Sequence, residues 1–468
     1  MSFNLLEEAS RILEINSITY ESNLPVVEYL CKLLEPFDVD IEKQSATHFE
    51  KPQANLIVRK GPQTGKTLLF NSHLDTVSAG DFSLWDRTGG NPFRATVDQD
   101  KIFGLGAADV KLDALCKLKA LEKFINIPFK NPFVWVGTYG EESGLVGARQ
   151  ILESKIVKPT YAVVGEPSNL NIIHAHKGHL VVEICLEDKK ARPISKQEKI
   201  SRLDFLGKAA HSSTPHLGEN AIEELFNFLK TMPDLSLVSI EGGHLINVIA
   251  ESAVLKGLAT QKITPNPKKF TASEEENSEK GMVFSPHMTK MLITLYEIVR
   301  RYAHVFKKTP LDTFDPPYSL LSCNVLKTQS NQITLQLSIR TLPNLDTNAW
   351  FLGFSQEIEK VKQNQEDINV LVKNLRESKP METSISSTLV REARHILQQM
   401  GLQDIVATKA TSTEASIYAQ MGAEAIVWGP GISVGNVHRP NEFNYIHHLN
   451  KAVIFYEKLI ESFCVKGA

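Results

Sequence analysis

Apolar positions along the chain follow two rhythms, one helical and one extended. Leu5, Ala9, Ile12 and Leu13 share one face at helical spacing and predict a helix over residues 4–14. Pro25 opens a second helix, with Val26, Leu30, Leu33 and Leu34 facing inward, and Pro36 stops it. Short apolar runs then predict strands at about 55–60 and 67–73. Residues 92–104 read as a hairpin turning at Asp98-Gln99-Asp100. Gly104-Leu105-Gly106-Ala107-Ala108-Asp109 leads into a helix over about 110–124. Strand 132–138 runs into Glu141-Glu142-Ser143-Gly144, a helix follows, and strand 161–165 ends at Glu166.

After Lys177-Gly178 the character changes. Strands 179–187 and 202–210, a helix over 219–231, and strands 235–241 and 252–259 predict an α+β insert. Residues 262–282 are polar and rich in Glu and Lys, and read as a loop. Helix 287–307, strand 332–342, helix 346–362 and strand 368–374 come next. From about Ser384 the alternation resumes: helix 388–400, strand 404–409, helix 414–421, strand 424–428, a Gly/Pro loop carrying His438, and a last helix from about 448. One α/β domain, residues 1–178 and 379–468, is therefore expected to be split by a second domain over 179–378, with an extra insert near 262–320.

Composition narrows the function. A chain of 468 residues is too long for one ordinary core. Hydrophobic content of 42% and charged content of 22% describe a globular protein, and a net charge of -3 gives no basic footprint for nucleic acid. Cys31, Cys116, Cys185, Cys323 and Cys464 are scattered without metal-type spacing, which argues for reduced thiols and a cytoplasmic location. The acidic start Met1-Ser2-Phe3-Asn4-Leu5-Leu6-Glu7-Glu8 lacks the features of a signal peptide, and no apolar run is long enough to span a bilayer, so no membrane partner is expected.

The chemistry gathers at strand ends, where open α/β sheets bind ligands. His73 and Asp75 lie two residues apart on one side of a strand end, so one can hold a metal while the other fixes the imidazole. His73 with Asp109, Glu142, Glu166 and His438 makes a set of two imidazoles and three carboxylates, suited to two zinc-like ions sharing a bridging carboxylate. Glu141 and Glu142 are consecutive and cannot both point at one ion, so one ligates while the other serves as base.

These residues fall in blocks. They are His73-Leu74-Asp75, Trp85 with Pro92-Phe93, Gly104 to Asp109, Glu141-Glu142-Ser143-Gly144 with Gly147-Ala148, and Val164-Gly165-Glu166-Pro167. Further on come Gly207-Lys208-Ala209-Ala210-His211 with Pro215 and Gly218-Glu219-Asn220-Ala221, and finally Gly429-Pro430-Gly431 leading to His438. In this order, over nearly the whole chain, they resemble the dinuclear zinc metallopeptidases and amidohydrolases that include N-acetylornithine deacetylase, succinyl-diaminopimelate desuccinylase, aminoacylase and glutamate carboxypeptidase. The resemblance implies a three-layer catalytic α/β domain with a central mixed sheet, interrupted by an α+β lid of the dimerisation type. It implies two Zn²⁺ (or Co²⁺ or Mn²⁺), with His73 and Glu166 on one ion, Glu142 and His438 on the other, and Asp109 bridging. It further implies Asp75 as the orienting carboxylate, Glu141 as general base, His211 on the lid as oxyanion stabiliser, and Arg340 as the grip on the substrate carboxylate.

Departures and plainer readings bear on this picture. After Asp109 the family often has Lys-Gly-Gly; here Lys111 is followed by Leu112 and Asp113, which affects the start of the helix and not the ligand. The lid's Asn pattern occurs twice, at Asn247 and at Asn324, and either fits the oxyanion neighbour. A homodimer is expected, with a monomer whose lid the insert completes internally as the alternative. Thr413-Glu414-Ala415 looks closest to the acetylornithine deacetylase branch. Gly104-Leu105-Gly106 is not a dinucleotide fingerprint, because Asp109 stands where its third Gly belongs. His174 and His176 read as packing residues, His447-His448 as a solvated helix start, and Glu274-Glu275-Glu276 as an exposed loop. The expected activity is metal-activated hydrolysis of the amide of an N-acyl amino acid. Dipeptide or carboxypeptidase chemistry is the alternative within the family. A catalytically inactive binding protein is the alternative outside it; the base Glu141 argues against that.

Overall fold

The structure, a computed structural model, describes residues 3–258, 266, 269–275, 281–362 and 366–467. The chain divides into two compact units, Met1–His176 with Met381–Ala468, and Lys177–Pro380.

The first unit is a three-layer α/β arrangement. Its mixed central sheet runs in the order Asp40–His48, Lys51–Lys60, Phe133–Thr138, Leu68–His73, Tyr161–Val164, Glu424–Val427, Ile172–His176 and Met381–Glu382, with Val406–Lys409 also paired to Ile172–His176. Both faces are covered, so the central strands are apolar at successive positions instead of alternating with polar ones. Leu68, Phe70, Phe133, Trp135, Tyr161, Val163 and Ile426 pack under the helices Leu5–Leu13, Leu24–Leu34, Lys111–Glu122, Thr388–Gln399 and Ile446–Ile460. Leu69, Val134, Val136, Ala162, Val164, Ala425 and Val427 turn to the other face, under Val146–Ser154 and Ala415–Gln420.

Four neighbouring strands of this sheet are parallel: Phe133–Thr138, Leu68–His73, Tyr161–Val164 and Glu424–Val427. Their carboxyl ends therefore leave the sheet along one edge. A buried polar network fixes the strand that ends at His73. Ser72 donates to Asp113 Oδ2 at 2.7 Å, Tyr456 donates to Asp113, and Lys117 pairs with the same carboxylate at 2.6 Å while donating to the Asn71 carbonyl at 2.5 Å. Every polar group of this network is buried, so its worth lies in complete satisfaction.

The second unit holds an eight-stranded antiparallel sheet in the order Phe270–Glu275, Ile200–Leu206, Ser252–Leu258, Ser236–Gly242, Leu320–Gln329, Gln332–Thr341, Gly178–Asp188 and Ile368–Ser378. Two sets of four strands meet at a single register pair, Gly242 with Leu326. Helices Ala221–Leu229, Pro286–Phe306 and Thr347–Lys362 pack on one face against Leu335, Leu337, Ile339, Leu180 and Val182. Period-two alternation then places Arg340 and His179, which face each other across two strands, on the opposite face.

Four strands depart from the sequence reading. Asp40–His48 is an edge strand whose side chains are mostly exposed, so its apolar pattern is faint. Leu320–Gln329 carries a bulge between Cys323 and Val325 that interrupts its alternation. Phe270–Glu275 is a strand inside the segment expected to be a loop, paired to Ile200–Leu206. It includes Glu274 and Glu275, while Glu276 and residues 262–265, 267–268 and 277–280 lie outside the described residues. The strand expected over 202–210 ends at Leu206, and Lys208 and His211 make only isolated bridges to Glu219 and Val248. Among the described residues no helix is long and apolar enough to cross a membrane.

The network behind His73 is tight enough to test. A Cβ added at Gly165 would lie 1.9 Å from Asp113 Oδ2 and 2.6 Å from Lys117 Nζ. Gly165→Ala is expected to destabilise the protein by roughly 1–3 kcal/mol, the usual range for overpacking. The urea midpoint reports it, and an unchanged midpoint would contradict the packing described.

Candidate metal centre

Each parallel strand end delivers one side chain. His73 is the last residue of Leu68–His73 and is buried. Its Nδ1 lies 2.9 Å from the Asp75 carbonyl oxygen and 3.6 Å from the Asp75 carboxylate. The imidazole is thus held from behind mainly by the Asp75 backbone. The Asp75 carboxylate has another task, accepting the backbone N–H groups of Glu141 and Glu142 at 3.1 and 3.3 Å. It fixes the turn that carries both glutamates.

Asp109 lies before the helix Lys111–Glu122 and is buried. It stands between two imidazoles, with His73 Nε2 3.0 Å from Oδ1 and His438 Nε2 3.2 Å from Oδ2. His438 Nε2 is also 3.1 Å from Glu142 Oε1. His438 comes from the loop after Glu424–Val427, where it holds a left-handed φ of 58° that non-glycine residues rarely adopt. Glu166 follows Tyr161–Val164, is buried, and is paired with Lys409 Nζ at 2.5 Å.

The electrostatics reflect crowding. Burial drives the Glu141 carboxyl well above its ordinary range, with Glu142 and Glu166 adding like charge and His73 opposing. Glu142 is raised by burial and by Asp109, against its hydrogen bond to His438. For Asp109, burial is outweighed by the hydrogen bonds from His438 and His73, which hold its pKa far below the usual carboxylate value. At His438 burial opposes charge, yet Asp109 and Glu142 push its pKa up to about 11.

The donor set fits a metal. One ligand atom each from His73, Asp109 and Glu142 lie within 4.8 Å of one another. Zinc bonds nitrogen and oxygen at about 2.0–2.2 Å, so ligand atoms around one ion stand roughly 3–3.5 Å apart. The His–carboxylate separations of 3.0, 3.2 and 3.1 Å match that spacing. Glu141 is not one of the three, although it shares a turn with Glu142. Two buried carboxylates that sequence reasoning left without a role support this centre. Glu442 accepts from the Ala108 and Asp109 backbone N–H groups at 2.7 and 3.0 Å, and burial with Asp109 nearby raises it to about 7. Glu414 accepts from Thr138 Oγ1 at 2.9 Å and is raised by burial to about 7. No spacing marks Glu442 in the sequence, and Glu414 was visible only as part of its Thr-Glu-Ala block.

The remaining predicted residues lie in the second unit. Ser213 N–H donates to His211 Nδ1 at 3.1 Å, so Nδ1 is the acceptor nitrogen and the neutral ring carries its hydrogen on Nε2. Arg340 is buried, and its Nε and Nη2 donate to Ser212 Oγ at 3.1 and 3.0 Å, which ties it to the residue after His211. Burial and Arg376 lower it to about 9. Asn247 is exposed, and its carbonyl accepts from Ser212 N–H at 2.8 Å. Asn324 is fully buried with its amide committed to the Ile246 carbonyl at 2.8 Å. Of the two asparagines, only Asn247 presents a side chain to solvent.

Other histidines sort differently. His174 packs against the Thr383 carbonyl. His447 is half-exposed and pairs with Asp100, but His448, expected to be solvated, is buried and accepts from Gly431 N–H at 3.3 Å in the loop that leads to His438. Burial, with His447 and Lys451 adding positive charge, lowers His448 to about 4. Its folded pKa is thus below an unfolded value of about 6.5, so its contribution to stability is complete above that pH and is lost as pH falls toward 4. His448→Asn is expected to flatten the loss of melting temperature between pH 6.5 and 4. Equal slopes in the variant and the parent would contradict this.

Comparison with known proteins places the chain in a family. The sequence pattern of "Peptidase family M20/M25/M40" matches residues 69–462. An acetylornithine deacetylase from Buchnera aphidicola subsp. Schizaphis graminum is 27% identical over 73% of this chain and 83% of its own length. One from Proteus mirabilis is 31% identical over 46% of this chain, a match spanning half of that relative. In fold, the chain resembles an aminoacylhistidine dipeptidase from Vibrio alginolyticus with a TM-score of 0.67 at 17% identity, over 98% of this chain and 96% of that one.

Proposed function

The chain belongs to peptidase family M20/M25/M40, as a metal-dependent hydrolase of amide bonds, and on that premise we propose that it deacylates an N-acyl amino acid in the manner of acetylornithine deacetylase. The observation that carries the reading is the turn at Glu141-Glu142. Glu142 is drawn into the His73–Asp109 group, while Glu141 lies partly buried beside it on a backbone fixed by Asp75.

We assign His73 and Glu166 to one ion, Glu142 and His438 to the other, and Asp109 to both; Zn²⁺ is the first choice, with Co²⁺ or Mn²⁺ as substitutes. When bound, such a pair polarises the amide carbonyl and makes water nucleophilic at neutral pH. Glu141 takes a proton from the attacking water onto its carboxylate. It returns that proton to the leaving nitrogen as the C–N bond breaks, so the amine departs neutral. Burial raises its pKa, which makes its carboxylate a stronger base. His211, with hydrogen on Nε2, donates to the oxyanion. Arg340, braced by Ser212, grips the substrate carboxylate, and Asn247 adds a polar contact. Asn324 holds the Asn247 segment in place through Ile246. A homodimer is the expected assembly, with a lid completed within one chain as the alternative. Five free cysteines support a reducing, cytoplasmic setting.

A hydrolysis screen of N-acyl amino acids and dipeptides with added Zn²⁺, Co²⁺ or Mn²⁺ tests the substrate class. Release of the free amino acid from N-acyl substrates is expected; cleavage of dipeptides alone would replace this reading with a peptidase. The two glutamates test the mechanism. Glu141→Gln keeps shape and both ions while turnover falls by roughly 10²–10⁴, the worth of a general base. Glu142→Gln weakens or loses one ion. Metal content and turnover on the same preparations decide, and the opposite pattern would reverse the assignment.

A further inference from the structure

The three carboxylates assigned to the ions are not partnered alike. Asp109 faces His73 and His438, and Glu142 faces His438. Glu166 faces an ammonium, with Lys409 Nζ 2.5 Å from its Oε2. Lys409 ends the strand Val406–Lys409, which pairs parallel with Ile172–His176 and so runs antiparallel to the four strands that precede the other groups; its side chain still reaches Glu166. The difference is chemical. A neutral imidazole has a lone pair, and the contact it makes with a carboxylate can open to admit an ion that both then ligate. A charged ammonium has no lone pair. It cannot ligate, and it opposes a divalent cation with a full positive charge at close range. The Lys409 and Glu166 side chains are only 22% and 8% exposed, so water screens this opposition weakly.

We infer that Lys409 makes the two ion positions unequal, by neutralising Glu166 and holding its Oε2 so that one oxygen is left for a metal. The position that uses Glu166 fills second and more weakly than the one formed by Glu142 and His438. Lys409 acts through Glu166 and is a positioning residue. A neutral donor at the same place would orient the carboxylate and strengthen ligation, as hydrogen-bonding partners of ligands ordinarily do. The charge reverses that sign, because a full positive charge held against the carboxylate opposes a cation bound there. This inference builds on the assignment of His73 and Glu166 to one ion.

Zinc titration of the metal-free protein by calorimetry tests it without reference to activity. The parent is expected to show one tight and one weaker site. Lys409→Gln keeps a hydrogen-bond donor but removes the charge, and should tighten the weaker site about tenfold or more, leaving the tight one unchanged. Lys409→Met should do the same, and Lys409→Arg should retain the parent's weak site. In a Glu166→Gln background, Lys409→Gln should have no effect on zinc affinity, since the residue it acts through is gone. An unchanged or weakened second site in Lys409→Gln, or the same tightening without Glu166, would overturn this inference alone. If neither the parent nor the variants take up zinc, the ion assignment itself fails and this inference with it.

Discussion

Like charges packed at one sheet edge set the terms for the first unit. Glu141, Glu142, Asp109 and Glu166 are all buried or nearly so, and in a low-dielectric setting such groups repel strongly. The fold answers with cations and donors drawn from separate elements. His73 and His438 bracket Asp109, Lys409 pairs with Glu166, and Asp75 accepts the backbone of the Glu141-Glu142 turn. A divalent ion would offset this charge better, and that is the physical reason the cluster reads as a metal centre.

The scaffold that bears this cluster is rigid where it must be. Four parallel strands share one edge, and the buried Asp113–Lys117–Ser72–Tyr456 network locks the strand carrying His73 to the helix that follows Asp109. Glu442, from near the chain's end, caps the Ala108 and Asp109 backbone. Residues far apart in sequence thus set the position of one carboxylate.

Much of this was legible in the sequence because its signals are local. A buried strand such as Leu68–His73 announces itself by continuous apolar residues, and the ligands sit at the ends of such runs. What the sequence hid follows from the same physics. Asp40–His48 is exposed and carries no apolar face, and the bulge at Asn324 breaks the rhythm of Leu320–Gln329. Lys409 and Glu442 act through tertiary pairings with Glu166 and Asp109, and no sequence spacing encodes a contact between residues 243 or 333 positions apart. The exposed reading of His448 failed because the helix Ile446–Ile460 turns it inward toward Gly431.

The central claim is that Asp109 joins two ions held by separate strand ends. Anomalous diffraction at the zinc edge, from crystals grown with zinc, tests it most directly. Two peaks are predicted about 3.5–4 Å apart, as in other paired-metal sites, one touching His73, Asp109 and Glu166 and the other touching Asp109, Glu142 and His438. Peaks that avoid Asp109, or full zinc occupancy at a place that none of these residues touches, would contradict the account.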